Sequence, residues 1–415
     1  MKKILAIVLA VGILLSTVGC TKTVGTNLME NVTPQIVNDQ PNMDAGAAAT
    51  ADFSVRLFQM SMEADKNTLI SPLSVLHALS MTANGADGET LAQMEEVLGM
   101  DVASLNSFMK AYMAKLPAAE AYKMSIANGI WFRDDPSFEV NQAFLQTNAN
   151  YYNAEIRKAA FDEATRKEIN DWVKTNTDGM IPDILDQMHP DAVMYMVNAL
   201  AFEADWEQQY EEFQVRDGSF TTEDGTVRDV QMMHGTEHRY LEDEQATGFI
   251  KYYEDRRYAF VALLPKEGVT VGDYVEGLTG EHLLQMLSEP EDIMVLTTIP
   301  KFETEYSTQM SDVLREMDMT DAFSQNDADF SKLGIYHADG ANIFINEVLH
   351  KTFISVAEQG TRAGAATAVI MYAAGAPAEK PEYRTVNLDR PFVYMLIDCE
   401  TNLPFFIGTM MDSNI

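Results

Sequence analysis

Residues 358–377, EQGTRAGAATAVIMYAAGAP, constrain this chain more than any other stretch. Between 360 and 377 the only charge is Arg362, although 22% of all residues are charged. No proline falls between 360 and 376. In a strand, residues two apart share a face. Thr361, Ala363, Ala365, Thr367 and Val369 then line one side, and Arg362, Gly364, Ala366, Ala368 and Ile370 the other. The first set is small and uncharged, so it fits a packed interior. The lone charge falls on the opposite set, where solvent receives it. With no proline, every backbone N–H can join a ladder, and the segment is able to become a central strand. The same residues also suit an exposed loop or an Ala-rich helix, and local sequence leaves these open.

The ends of the chain set its context. The first twenty residues, MKKILAIVLAVGILLSTVGC, carry Lys2 and Lys3 ahead of an apolar run too short to span a bilayer comfortably. They read as a signal peptide. The ending Thr17-Val18-Gly19-Cys20 resembles a bacterial lipobox, which implies lipidation of Cys20 and a cell-surface protein; Thr17 departs from the usual aliphatic residue. An ordinary secretory signal cut nearby is the alternative, and either exports the protein. Residues 21–46 lack sustained periodicity and carry Pro, Asn and Gly, so a flexible tether is expected there. Only Cys399 remains besides Cys20, so no disulfide supports the fold.

The net charge is −34, and cleavage before Cys20, which removes two lysines and no acid, takes it to −36. Phosphates would be repelled, which argues against nucleic acid or anionic lipid as partners. Membrane contact is expected only through the N-terminal lipid. No cofactor and no metal site are indicated. Ser107-x-x-Lys110, Tyr151-x-Asn153 and Lys351-Thr352 mimic a serine–lysine acyl-transfer site, but Phe353 replaces the glycine that such a site needs. His234 and His238 stand four apart, yet Gly235 occupies the place of the glutamate in a zinc helix. No catalytic residue emerges, and the chain is not expected to be an enzyme.

Helical patterns mark 47–62, 73–81, 89–98, 140–150, 164–175 and 308–318. Pro72 suits a first helical turn. Strand-like runs occupy 124–132, 193–202, 258–264 and 293–299, and the last hundred residues are strand-rich. Helices early and strands late, interleaved at long range, indicate one α+β domain over 47–415. Within it, Glu358-Gln359-Gly360-Thr361-Arg362-Ala363-Gly364-Ala365-Ala366-Thr367 resembles the hinge of the serpins. NTLISPLSVLHALSM, VNALAFEADWEQQY, LLPKEG, IPKFETEYS, NEVLHKTFISVAEQGT, DRPFVYMLID and PFFIGTM resemble further serpin blocks in the family's order.

This resemblance implies three β-sheets, eight or nine helices and an exposed reactive-centre loop. It also implies a single-use trap, monomeric, in which a serine protease acylates the loop and is carried off as the loop inserts into the main sheet. Family spacing places the reactive bond at Ala374–Gly375, with Tyr372 or Met371 as alternative bait residues. A small alanine implies an elastase-like target, and the acidity favours a cationic one. Small hinge residues (Gly360, Thr361, Ala363, Ala365, Thr367) favour inhibition over the alternative, a non-inhibitory serpin acting as a binding or chaperone-like surface protein. Ser71, Ser74, Asn198 and His350 match the family's polar cluster where the sheet opens. Trp206, Lys301 and Glu358 match its loop-entry region.

Overall fold

The computed structural model describes residues 25–116, 122–189, 192–337, 342–361 and 382–413. Among them nine α-helices form: α1 (Met43–Ser61), α2 (Pro72–Ala83), α3 (Gly88–Leu98), α4 (Val102–Lys115), α5 (Gln142–Tyr152), α6 (Glu163–Asn176), α7 (Val271–Glu276), α8 (Gly280–Ser288) and α9 (Met310–Glu316). Their ends follow local chemistry. Ser71 caps α2 through its side chain, with Pro72 in the first turn, where a missing N–H costs nothing. Asn42, Asp101, Asn141 and Asp162 cap α1, α4, α5 and α6 in the same way.

The main sheet has seven strands in spatial order β1 (Thr26–Asn27), β5 (Glu155–Ala159), β3 (Tyr122–Arg133), β6 (Met194–Asp205), β15 (Gly360–Thr361), β14 (Glu347–Val356) and β12 (Phe302–Gln309). Nine further strands form one hydrogen-bonded sheet, eight of them along a continuous path and β7 (Val215–Thr221) beside it, paired with β8 (Val227–Glu242). Two more are β11 (Glu291–Pro300) and β16 (Tyr383–Asn387). The others are β9 (Ala246–Tyr252), β10 (Tyr258–Pro265), β17 (Phe392–Asp398), β18 (Leu403–Met410) and β2 (Thr68–Ile70). The first half of the sixteen-residue β8 pairs with β7, and its last three residues pair with β9. With the main sheet and the two-stranded sheet of β4 (Phe138–Val140) and β13 (Gly334–Tyr336), the nine-stranded one makes three sheets among the described residues.

The main sheet is covered on both faces, and the alternation along β6 shows how. Met194, Met196, Leu200 and Phe202 enter the large core with α2, every residue of which is buried. Tyr195, Val197 and Ala199 point the other way, into a smaller cluster with Ile169 and Val173 of α6. A strand buried on both faces reads as a continuous apolar run, which is why 193–202 stands out in the sequence.

The tether expected over 21–46 is corrected for its described part. Thr26 and Asn27 add a strand to the sheet edge at β5, and Leu28 N–H donates to Ile156 O at 2.9 Å. Gly25 N–H donates to Glu168 Oε2 at 2.8 Å, and Gln35 N–H to Asn150 Oδ1 at 2.7 Å. Backbone pairing and amide contacts need no apolar periodicity, so nothing in the pattern announces them. The signal peptide and Cys20 lie outside the described residues. No helix among the described residues is long and apolar enough to cross a membrane.

Candidate functional site: a hinge lodged in the main sheet

β6 and β14 run parallel and pair directly from Tyr195↔Glu347 to Leu200↔Thr352. Above that point they part, and Gly360–Thr361 enters between them. Thr361 faces Ala204 on one side and Val356 on the other, antiparallel to both. Only glycine fits at 360, because a Cβ there would lie 2.0 Å from Ala204 O. Thr361 is 1% exposed, and its Oγ1 is hydrogen-bonded to the buried hydroxyl of Tyr253. The side assigned to the interior by alternation is therefore the side that Thr361 presents to the core. The remaining hinge residues Ala363, Ala365 and Thr367 lie outside the described residues. So do Ala374, Gly375, Tyr372 and Met371.

Trp206, Lys301 and Glu358, expected at the loop entry, meet around this wedge. Trp206 is buried and stacks on Tyr253, with ring centroids 4.4 Å apart and planes 10° from parallel. Its Nε1–H donates to Ala357 O at 2.8 Å, and its backbone N–H donates to Gln359 O at 2.8 Å. Lys301 Nζ lies 2.7 Å from Glu358 Oε1. Burial acts to raise the Glu358 carboxyl, but the Lys301 bond wins and holds it below the usual range. Both side chains are about one-third exposed, so the pair stabilises by less than about 1 kcal/mol. Geometry at this corner rests more on the Trp206 bonds.

Lower down, strand register aligns one polar rung. Asn198 of β6 faces Asn128 of β3 and His350 of β14. Asn198 Nδ2 donates to Ser74 Oγ at 2.6 Å and to Asn128 Oδ1 at 2.7 Å. Ser71 N–H donates to His350 Nε2 at 3.1 Å, which leaves Nδ1 as the protonated nitrogen; it donates to Asn198 Oδ1 at 2.6 Å. Burial pushes the His350 imidazole down to about 3, so it stays neutral at ordinary pH. Asn128 Nδ2 donates to His77 Nδ1 at 2.9 Å, and burial pushes His77 down to about 4. The four residues expected here do meet. Asn128 and His77 are additional members that no local pattern marks, because β3 also carries Lys123 and Ser125, and α2 also carries Ser74, Ser80 and Thr82.

The rejected chemistry stays apart from this site. Ser107 and Tyr151 meet on the surface at Asp39, with Lys110 over the Tyr151 ring, while Lys351 on β14 pairs with Asp183 and Glu305 instead. His234 and His238 lie on strand β8, not on a helix. Among the described residues no cluster of three or more metal-ligating side chains occurs.

Comparison with known proteins matches this geometry. The chain is 33% identical over 374 residues to an uncharacterised serpin-like protein of Thermococcus kodakarensis, covering 88% of this chain and 85% of that one. It is 29% identical to the leukocyte elastase inhibitor of Equus caballus, covering 85% and 96%. A thermophilic serpin, tengpin, solved in its native state, superposes with a TM-score of 0.89 at 46% identity, over 94% of this chain and 99% of that one. In its latent state the TM-score falls to 0.78, at 43% identity over 92% and 100%. The family model described as serpin (serine protease inhibitor) matches residues 48–413. By that match, by the three sheets and by the wedge between β6 and β14, the chain belongs to the serpin family.

Proposed function

We propose that this chain is an exported, irreversible inhibitor of serine endopeptidases that works by inserting its reactive-centre loop into the main sheet. The observation that carries the reading is the two-residue strand Gly360–Thr361, already seated between β6 and β14 while six residue pairs below it still join those strands directly. Extending the wedge downward exchanges one parallel ladder for two antiparallel ones. Each added backbone hydrogen bond contributes about 0.5–1.5 kcal/mol net, and antiparallel pairing is slightly the stronger per residue. The polar rung lies directly in the path. Its donors and acceptors can exchange partners as the strands separate, which an apolar seam could not do.

The protease serine attacks the carbonyl of Ala374, forming an acyl-enzyme and releasing the peptide that begins at Gly375. Insertion from Thr361 to Ala374 makes a strand of roughly 46 Å at about 3.3 Å per residue. It carries the acylated protease along the sheet before water frees it. Ala374 suits a shallow specificity pocket, and the elastase inhibitor among the relatives supports an elastase-like target. The net charge of −34 supports a cationic one. The test is to mix the protein with pancreatic elastase and run a denaturing gel. A covalent band near the summed masses, with release of peptide 375–415, is the expected result. Cleavage without a covalent band would mark a non-inhibitory member of the family.

A further inference from the structure

Lys251 of β9 is 2% exposed, an unusual place for a lysine. Its Nζ lies 2.9 Å from Glu237 Oε1 on β8 and donates to Gln208 O at 3.1 Å. The same atom sits 4.5 Å from the ring centroid of Tyr210 and 5.1 Å from that of Trp206. Trp206, Gln208 and Tyr210 all belong to the segment that follows β6. This segment holds the hinge by three bonds: Trp206 N–H to Gln359 O, Trp206 Nε1–H to Ala357 O, and Tyr210 N–H to Glu358 O at 2.9 Å. Trp206 also stacks on Tyr253, the partner of Thr361.

Stability alone gives no reason for a charge here. An apolar side chain of similar length would fill the same space without desolvating an ammonium, and burial pushes the Glu237 carboxyl up even with Lys251 beside it. What the ammonium adds is direction, since one atom ties a carboxylate, a carbonyl and two ring faces together. We propose that Lys251, with Glu237, is a positioning residue for the hinge: it fixes residues 206–210 and so keeps Gly360–Thr361 lodged between β6 and β14 as the start of the inserting strand. This rests on the insertion mechanism proposed above, although the clamp itself can be measured without it.

Lys251→Met alone would strand Glu237, so the informative protein is the double variant Lys251→Met/Glu237→Gln, with Lys251→Arg as the conservative control. Hydrogen exchange on the intact proteins reads the clamp. In the double variant, exchange at the Trp206 and Tyr210 amides is expected to rise at least tenfold, while the β17 and β18 amides keep wild-type protection. Lys251→Arg should restore most of the difference. With elastase, the ratio of trapped to cleaved protein should fall at least fivefold, with the overall rate of loop attack unchanged. Wild-type exchange at the two amides would overturn the proposal. Faster exchange in the double variant, with no covalent complex even from the wild type, would leave the clamp standing and remove the insertion mechanism instead.

Discussion

Replacing Thr361 by arginine tests the hinge at the point where it enters the sheet. Thr361 is 1% exposed, flanked by Ala204 and Val356, with its Oγ1 on Tyr253. A guanidinium at that point finds no carboxylate among these neighbours. Burying it unpaired costs several kcal/mol. The alternative is for the hinge to leave the sheet, which forfeits the pairings of Gly360 and Thr361 and orphans the Tyr253 hydroxyl. If about 4 kcal/mol of this cost appears in the barrier to insertion, the step slows about a thousandfold, since about 1.4 kcal/mol is tenfold. Acylation at the distant bond is untouched, so hydrolysis wins. The variant should be cut by elastase at the wild-type rate and give no covalent band. Thr361→Val keeps the shape and loses only the Tyr253 bond, at about 1–3 kcal/mol, so it should still trap a detectable fraction. Retention of the wild-type ratio of trapped to cleaved protein by Thr361→Arg would refute the hinge argument.

Further expectations follow from the same geometry. Asn198→Leu leaves the Ser74, Asn128 and His350 side chains short of a buried partner. At about 1–3 kcal/mol per orphaned group, urea unfolding of the intact protein should show a loss of about 3–5 kcal/mol; a loss under 1 kcal/mol would mean the rung re-pairs or hydrates. His350 and His77 titrate near 3 and 4 when folded, below about 6.5 when unfolded. The unfolded chain therefore binds protons first as pH falls, and stability complete above pH 6.5 is lost below it. Between pH 7 and 5 each histidine should remove about 2 kcal/mol, and His350→Gln should flatten the profile by that amount. An unchanged profile in the variant would show that His350 is not the group responsible. Glu358→Gln should lower stability by less than about 1 kcal/mol, because the Lys301 pair is partly solvated. A loss of 3 kcal/mol by urea titration would show that the pair, and not Trp206, holds this corner.

Much of the fold is legible in the sequence because its strongest signals are periodic. The run 193–202 is apolar apart from Asn198 since β6 is covered on both faces, and 73–81 is mostly apolar since α2 is wholly buried. Ser71, Ser74, Asn198 and His350 stand out through the family blocks that hold them. Asn128 and His77 do not, because membership of the rung depends on register across three strands, a long-range fact with no local pattern. The same holds for Tyr253 beneath Thr361 and for Lys251 beneath Trp206. Residues 25–42 escape for another reason: they attach through backbone and side-chain hydrogen bonds and through Leu28, Met29 and Val32 alone, too few apolar residues to leave a hydrophobic rhythm. No strand-like run in the sequence marks β8 either, although its first half pairs with β7 and its last three residues with β9.

Thermal unfolding of intact protein beside protein nicked within 371–375 tests the stored energy on which trapping depends. An added central strand contributes on the order of 10 kcal/mol from its new backbone bonds, so the nicked form should melt on the order of 20 °C higher. Equal melting temperatures would mean that the cut loop gains nothing by entering the sheet, and the mechanism would have no driving force.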